Sequence, residues 1–290
     1  MTGEGHLAGQ TVVVIGGSSG IGLETARLAG QEGAAVIITG RHADRLKQAA
    51  ADVGARDTAV FDATDQAALS GFFGGLPGPV DHVMVTGPGP YYAPLAELEH
   101  DKAHADFDHH VWLAVSVAQQ AVGRVRPGGT LLFMTGSGES RGPGLSLMAA
   151  ATAALPALVA NLALEIAPIR VNLLAAGFVD TPLSATLLGG DLDKRRAELR
   201  ATLPIRRVVE PADVAALAVH LMINTAITGA TCAIDGGQQL LPGGLRGARP
   251  ASRHHHRRIP GHWCRPRGRL PRARLGGGGQ RAQDQAIGSR

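Results

Sequence analysis

A glycine-crowded turn, Gly16-Gly17-Ser18-Ser19-Gly20-Ile21-Gly22, follows directly on the aliphatic run Thr11-Val12-Val13-Val14-Ile15 and leads into Leu23-Glu24-Thr25-Ala26-Arg27. No other stretch limits the fold as strongly. A strand that reaches a helix through so few residues must turn sharply, and glycines let the main chain pass where a Cβ would collide. The helix that follows directs its free N–H groups and the positive end of its dipole back at the turn, which makes a cradle for a pyrophosphate. Strand, glycine turn and helix in that order open a βαβ unit, so the chain is expected to build a parallel sheet around a dinucleotide site.

The rest of the chain extends that pattern. Short β-branched or aliphatic runs at 11–15, 35–39, 58–61, 80–86, 130–135, 170–174 and 231–234 alternate with Ala/Leu/Glu-rich stretches near 21–32, 43–53, 65–74, 100–124, 146–166 and 211–223. Seven such strands fit one Rossmann-type doubly wound α/β sheet with helices on both faces. A further stretch at 183–200, interrupted by Gly189-Gly190, reads as a mobile flap. The stretch 146–166 is apolar on more than one face, as expected of a helix that packs on its own sheet and on a second subunit, and Pro156 is expected to kink it. A homodimer or homotetramer is therefore expected.

After Leu241 the alternation stops. Residues 242–290 are mostly Gly, Pro, Arg and His, with 12 arginines against the single acid Asp284, whereas residues 1–241 carry 16 Lys+Arg against 23 Asp+Glu. The formal net charge of +4 is thus the sum of an acidic folding domain, 1–241, and a basic tail, 242–290, with too few aliphatic residues to order itself. An acidic domain has no reason to seek a phosphate backbone, which argues against nucleic-acid binding. Two cysteines, Cys232 and Cys264, are too few for a disulfide framework and fit a reducing cytoplasm. The first nine residues lack a basic-then-apolar signal pattern, and no long apolar run free of breakers stands out, so a soluble protein without a membrane or metal partner is expected.

Several motifs resemble those of the single-domain short-chain dehydrogenase/reductase family. The spacing Gly16, Gly20, Gly22 matches the family's Gly-x-x-x-Gly-x-Gly, and Phe61-Asp62-Ala63-Thr64-Asp65 matches the segment after its third strand, where the equivalents of Asp62 and Ala63 contact adenine. Val85-Thr86-Gly87 stands where the family has Asn-Asn-Ala-Gly. Ile169-Arg170-Val171-Asn172, Ala176-Gly177-Phe178-Val179-Asp180-Thr181 and Ile234-Asp235-Gly236-Gly237 follow in the family's order. The resemblance covers residues 7 to 241 and implies a nicotinamide cofactor held by Gly16, Ser18, Ser19, Gly20, Ile21, Gly22, Asp62, Ala63 and Gly87, with Val179 and Thr181 on the carboxamide. NAD-using members end the second strand in an acid, but here Gly40-Arg41 stands in its place. Without a carboxylate to repel a phosphate, and with a guanidinium able to grip it in two places, NADP(H) is the expected cofactor.

The catalytic positions depart from the family. Its members use an Asn-Ser-Tyr-Lys tetrad in which the phenol protonates the carbonyl oxygen as hydride arrives. This chain has two tyrosines, Tyr91 and Tyr92, and three lysines, Lys47, Lys102 and Lys194, none of them in a Tyr-x-x-x-Lys pair. The resemblance puts His110, Gly136, Met148 and Thr152 at the four tetrad positions. Candidate proton donors or substrate contacts are then His110, the one imidazole among the four, Ser137 and Thr135 on either side of Gly136, and Tyr91 or Tyr92 in the loop 87–94. Glu139 and Arg141 could meet a charged substrate. The expected activity is an NADP(H)-dependent ketoreductase acting on a bulky small-molecule substrate of specialised metabolism, with an atypical or substrate-assisted proton donor. A catalytically silent NADP-binding partner, or a non-redox lyase, isomerase or cyclase, would use the same fold.

Overall fold

In the computed structural model, which describes residues 5–87, 89–137 and 143–241, alternation along the first strand decides the layering. Val13 and Ile15 enter one core cluster and Val12 and Val14 the other, so both faces of the sheet are covered. The elements run β1 (Thr11–Ile15), α1 (Gly20–Gln31), β2 (Ala35–Gly40), α2 (Ala43–Val53), β3 (Asp57–Val60), α3 (Gln66–Gly75) and β4 (Val80–Val85). They continue with α4 (His100–Phe107), α5 (Leu113–Ala121), β5 (Val125–Gly136), α6 (Ser146–Glu165), β6 (Arg170–Ala176), α7 (Pro182–Leu188), α8 (Leu192–Thr202), α9 (Pro211–Ile223) and β7 (Thr231–Ile234). The seven strands form one parallel sheet in the order β3-β2-β1-β4-β5-β6-β7. That order reverses between β1 and β4, where the crevice of a doubly wound sheet opens.

Three differences from the sequence expectation have local causes. The stretch expected as one helix over 100–124 ends at Ala121 and is broken by a π-turn at Asp108–Trp112, in which the Leu113 N–H reaches back five residues to the Asp108 carbonyl. The imidazole of His110 lies 2.7 Å from the Asp106 carbonyl and so occupies an acceptor of the regular ladder. Strand β5 begins at Val125, five residues before the expected start, because Val125 pairs with Val80 ahead of a register shift. A Cβ on Gly129 would sit 2.3 Å from the Asp81 carbonyl, so a glycine that reads as a loop signal is what lets the irregular strand close up. Finally, among the described residues α6 is long and apolar enough, by length and composition, to cross a membrane, where no such run free of breakers was expected, and Pro156 lies inside the helix. Its Ala151, Leu155, Val159, Leu162 and Ala163 are buried, while Leu164 is 79% exposed. The expected tail, 242–290, lies outside the described residues.

The Ile169–Asn172 motif earns its place through the scaffold. Arg170, 6% exposed, donates to the carbonyls of Leu221 (2.7 Å), Met222 (2.8 Å), Asn224 (3.1 Å) and Ile227 (3.1 Å), at the C-terminal end of α9. The first three are orphan acceptors of a helix end and the fourth lies in the loop after it, and a cation there meets the negative end of the dipole. Asn172 donates to the Ile227 carbonyl (3.0 Å) and accepts from the Ala230 N–H (3.1 Å), which feeds the chain into β7.

Candidate active site

A cleft of about 620 Å³ opens at the C-terminal ends of β1 and β4. Its floor is the glycine turn. Gly16 has φ +86°, and a Cβ on it would lie 2.4 Å from Thr86 Oγ1; a Cβ on Gly22 would lie 2.4 Å from the Gly16 carbonyl oxygen. Thr86 stands between the two halves of the turn, its hydroxyl 3.0 Å from the carbonyl oxygens of both Ile15 and Gly16. The N-terminus of α1 is open: Ser19 occupies the cap position without a side-chain bond, and no acid stands in the first turn. Elsewhere the chain does cap, with Asp65 accepting from Ala67 and Ala68 on α3 and Thr181 accepting from Ser184 on α7. An uncapped helix end beside glycines with no room for a Cβ fits a dinucleotide pyrophosphate.

At the end of β2, Gly40 presents no side chain, and a Cβ there would sit 3.1 Å from Ser18 Oγ. Arg41, His42 and Arg45 line this end of the cleft. Arg41 lies 4.0 Å from Asp62 with both side chains about half exposed, a loose pair that leaves the guanidinium able to take another anion. Burial pushes the Asp62 carboxyl up, but the N–H and hydroxyl of Thr64 and the charges of Arg41 and His109 outweigh it and hold the group below the ordinary carboxylate range. Phe61, Ala63, Thr64, His109 and Leu113 complete the wall beside it.

At the opposite end Gly87, Gly89, Thr181, Pro182, Leu183 and Thr186 line the cleft. Thr181 caps α7 through a reciprocal pair with Ser184, and Ser184 Oγ also bonds the Val179 carbonyl (2.9 Å). Asp180 is gripped in two places by Arg196 of α8, 2.8 Å at each oxygen. The expected flap is therefore a pair of short helices joined by a 3₁₀ turn at Gly189–Asp191 and anchored at both ends. Leu183 lies over the loop after β4: a Cβ on Gly89 would approach its Cδ1 to 2.6 Å.

Eleven of the twelve expected cofactor residues line this one cleft. Val179 does not; its side chain is buried with Ala176, Val209 and Val214. Arg45, His42, Phe61, Leu113 and His109 are additions that the sequence reading missed. Arg45 could have been found by its four-residue spacing from Arg41; His109 and Leu113 share one helical face, but nothing local marks that face as a cofactor wall.

None of the expected catalytic residues lines the cleft. Gly136 ends β5, and Thr152 Oγ1 lies 3.8 Å from where its Cβ would be, so the positions assigned to serine and lysine are neighbours. Thr152 donates to Met148 Sδ at 3.5 Å. Thr135 is half-buried opposite Ala175. Ser137 is 4% exposed; its N–H bonds the Ala176 carbonyl (2.8 Å), and its hydroxyl has no partner among the described residues. Tyr91 is tied down, its N–H donating to Asp106 and its hydroxyl accepting from the Glu99 N–H. Although Tyr92 is 45% exposed, burial and then the Asp106 charge push its phenol above the ordinary value, the reverse of what a proton-donating tyrosine needs. Glu139 and Arg141 lie outside the described residues.

A doubly wound parallel sheet with an open glycine cradle at its switch point defines a dinucleotide-binding fold. Comparison with known proteins gives the family. Residues 15–239 match the family described as Enoyl-(Acyl carrier protein) reductase. The human dehydrogenase/reductase SDR family member 4 is 30% identical over 254 residues, 82% of this chain and 90% of that protein. The NADP-dependent (R)-specific alcohol dehydrogenase of Lentilactobacillus kefiri is 30% identical over 257 residues, 80% of this chain and 97% of its own. Among solved structures, BdcA in complex with NADPH superposes with a TM-score of 0.72 at 27% identity, covering 80% of this chain and 95% of that one. The chain belongs to the short-chain dehydrogenase/reductase family of oxidoreductases.

Proposed function

We propose that this protein is an NADP(H)-dependent ketoreductase acting on a bulky, largely apolar carbonyl compound, with its proton supplied by something other than a Tyr–Lys pair. The observation that carries the cofactor choice is the end of β2, where Gly40 replaces any acid and two guanidinium-bearing residues, Arg41 and Arg45, line the cleft. Such a pair holds a 2′-phosphate and gives no hydrogen bond to ribose hydroxyls that would favour the unphosphorylated cofactor. A relative that uses NADP and a neighbour solved with NADPH support the same choice.

Bound there, the reduced nicotinamide supplies a hydride to the carbonyl carbon. The chain's part is to hold the pyrophosphate on the α1 N-terminus, to hold the nicotinamide end under Thr181 and α7, and to present the substrate through the mouth flanked by Leu183. Small or apolar residues at 136, 148 and 152 leave the positions assigned to the tetrad without a phenol or an amine, which suits a large substrate. We further infer that the protein works in the cytoplasm as a homodimer or homotetramer, with α6 as part of the shared face.

The test is a fluorescence titration with NADPH and NADH, followed by absorbance at the nicotinamide band with quinones, polycyclic ketones and simple ketones. Preference for NADPH and turnover of the polycyclic carbonyls are expected. Tight NADPH binding with no turnover across that panel would overturn the reductase reading in favour of a silent NADP-binding protein.

A further inference from the structure

Asp106 is a carboxylate in a place where a carboxylate is costly. It is 4% exposed, its Oδ1 accepts the Tyr91 N–H at 2.8 Å, and its Oδ2 is buried with no partner among the described residues. Buried carboxylates are ordinarily paired with a cation. Among the described residues the only basic group in ion-pair range is His110, whose Nδ1 lies 3.6 Å from Oδ1. The same Nδ1 lies 2.7 Å from the Asp106 main-chain carbonyl. A carbonyl oxygen can only accept, so Nδ1 carries a hydrogen and Nε2 is the atom left for other chemistry.

The surroundings place this pair at the catalytic end of the domain. The π-turn that carries His110 and the helix α4 that carries Asp106 both pack on α6, the helix of Met148 and Thr152. Thr152 in turn lies against Gly136 at the end of β5. His109, one residue earlier, already lines the cofactor cleft. Tyr91 fixes Asp106 to the loop after β4, and α6 brings no charged side chain before Glu165, at its far end. The ring therefore meets one fixed countercharge and no competing one from the helix packed against it.

We propose that Asp106 and His110 form the proton-delivering pair of this enzyme, with His110 Nε2 as the donor and Asp106 as the positioning residue. This rests on the ketoreductase reading. As the carbonyl carbon gains a C–H bond from the reduced nicotinamide, the π electron pair passes to oxygen and the N–H bond at Nε2 breaks to form the alcohol O–H. The ring is left neutral with its hydrogen on Nδ1, and water returns a proton to Nε2. Asp106 compensates the ring's charge before transfer and keeps the imidazole from turning.

Four variants and one spectrum test this. His110→Gln should lower kcat about 100-fold or more with NADPH affinity unchanged, in line with the loss of a general acid. Asp106→Asn keeps an acceptor for the Tyr91 N–H and should lower kcat about tenfold with KM little changed. His110→Ala should regain activity on addition of imidazole, and His110→Ala/Asp106→Asn should regain less. Independently of turnover, nitrogen NMR of histidine-labelled protein should show a hydrogen on Nδ1 of His110 in the parent and also in Asp106→Asn, because the main-chain carbonyl that accepts it is unchanged by the substitution. Full activity in His110→Gln, or a parent spectrum with no hydrogen on Nδ1, overturns the pair while leaving the ketoreductase standing. A parent that binds NADPH and reduces no carbonyl in the panel overturns both.

Discussion

The cofactor end and the catalytic end of this domain are built to different standards. Around the glycine turn nearly every local choice points one way: two positions with no room for a Cβ, a helix N-terminus left uncapped, a threonine hydroxyl wedged against the turn, and a carboxylate held ionised by Thr64, Arg41 and His109. At the ends of β5 and α6 the polar equipment is thin, with Gly136, Met148 and Thr152 at the assigned tetrad positions and a buried Ser137 hydroxyl without a described partner. The difference teaches that holding the dinucleotide and moving the proton are separable tasks. The first depends on main-chain geometry that tolerates almost no substitution. The second, on the proposal above, depends on a single group that another element can supply, carried here by the π-turn after α4.

The largest expected effect breaks the stricter end. Gly22→Val places a branched side chain where even a Cβ would lie 2.4 Å from the Gly16 carbonyl, a contact to main chain that cannot yield without opening the turn. NADPH binding should become undetectable by fluorescence titration while circular dichroism stays that of the parent. Retained affinity would mean that the turn is not the pyrophosphate cradle.

The next effect belongs to the sheet that both ends share. His82 of β4 is 3% exposed, with Nε2 donating to Gln10 Oε1 at 2.6 Å and Nδ1 buried without a described partner, so a second proton has nowhere to go. Burial first, and the Arg170 charge after it, push the imidazole from 6.5 down to about 4 against the opposing pull of Asp81. Between those values the unfolded chain binds a proton that the folded one refuses. Stability is therefore whole above pH 6.5 and falls as pH is lowered towards 4, by roughly 3 kcal/mol, with no further loss from this group below that. Urea melts at pH 7, 5.5 and 4 should trace that slope, and His82→Leu should flatten it. Comparisons of the two ends of the cleft are cleanest above pH 6.5.

Rebuilding the looser end gives the third effect. A Cβ on Gly136 would meet Thr152 Oγ1 at an ordinary contact distance of 3.8 Å, so Gly136→Ser combined with Met148→Tyr and Thr152→Lys should install the family's usual donor. Turnover of simple ketones should rise about 100-fold, within the range for an added general acid. Polycyclic carbonyls should gain less, because the added tyrosine and lysine side chains take up room. No gain on simple ketones would mean that these three positions do not face the carbonyl.

The seven strands, the doubly wound class and most of the residues that line the cleft were legible because they follow from short-range signals: aliphatic runs alternating with helical stretches, turn glycines, and the absence of an acid after β2. The start of β5 was not legible, since Gly128 and Gly129 read as a loop and only the neighbouring Asp81 carbonyl explains why a strand runs through them. The π-turn was hidden for a similar reason. His109 and His110 look alike in sequence, and only the folded helix sends one to the cofactor wall and the other to Asp106. The nearly silent catalytic end was legible as an absence, from two tyrosines and three lysines in the wrong places. The proposed replacement, His110 with Asp106, rests on packing between α4 and α6, elements about forty residues apart, which no local pattern encodes.

The smallest effect sharpens the comparison from within the cofactor end. Arg41 is about half exposed and its pair with Asp62 is loose at 4.0 Å, so its value as a phosphate ligand is moderated by water. A charge-assisted contact of this kind contributes about 1.5 kcal/mol, which predicts that Arg41→Ala weakens NADPH about tenfold. NADH affinity should stay level, because nothing else about the turn changes. Adding Arg45→Ala should cost NADPH a second, similar step if both guanidinium groups share the phosphate. Equal losses for NADPH and NADH would assign Arg41 to the packing of the loop into α2 instead, and the strictness of the cofactor end would then rest on the glycine turn alone.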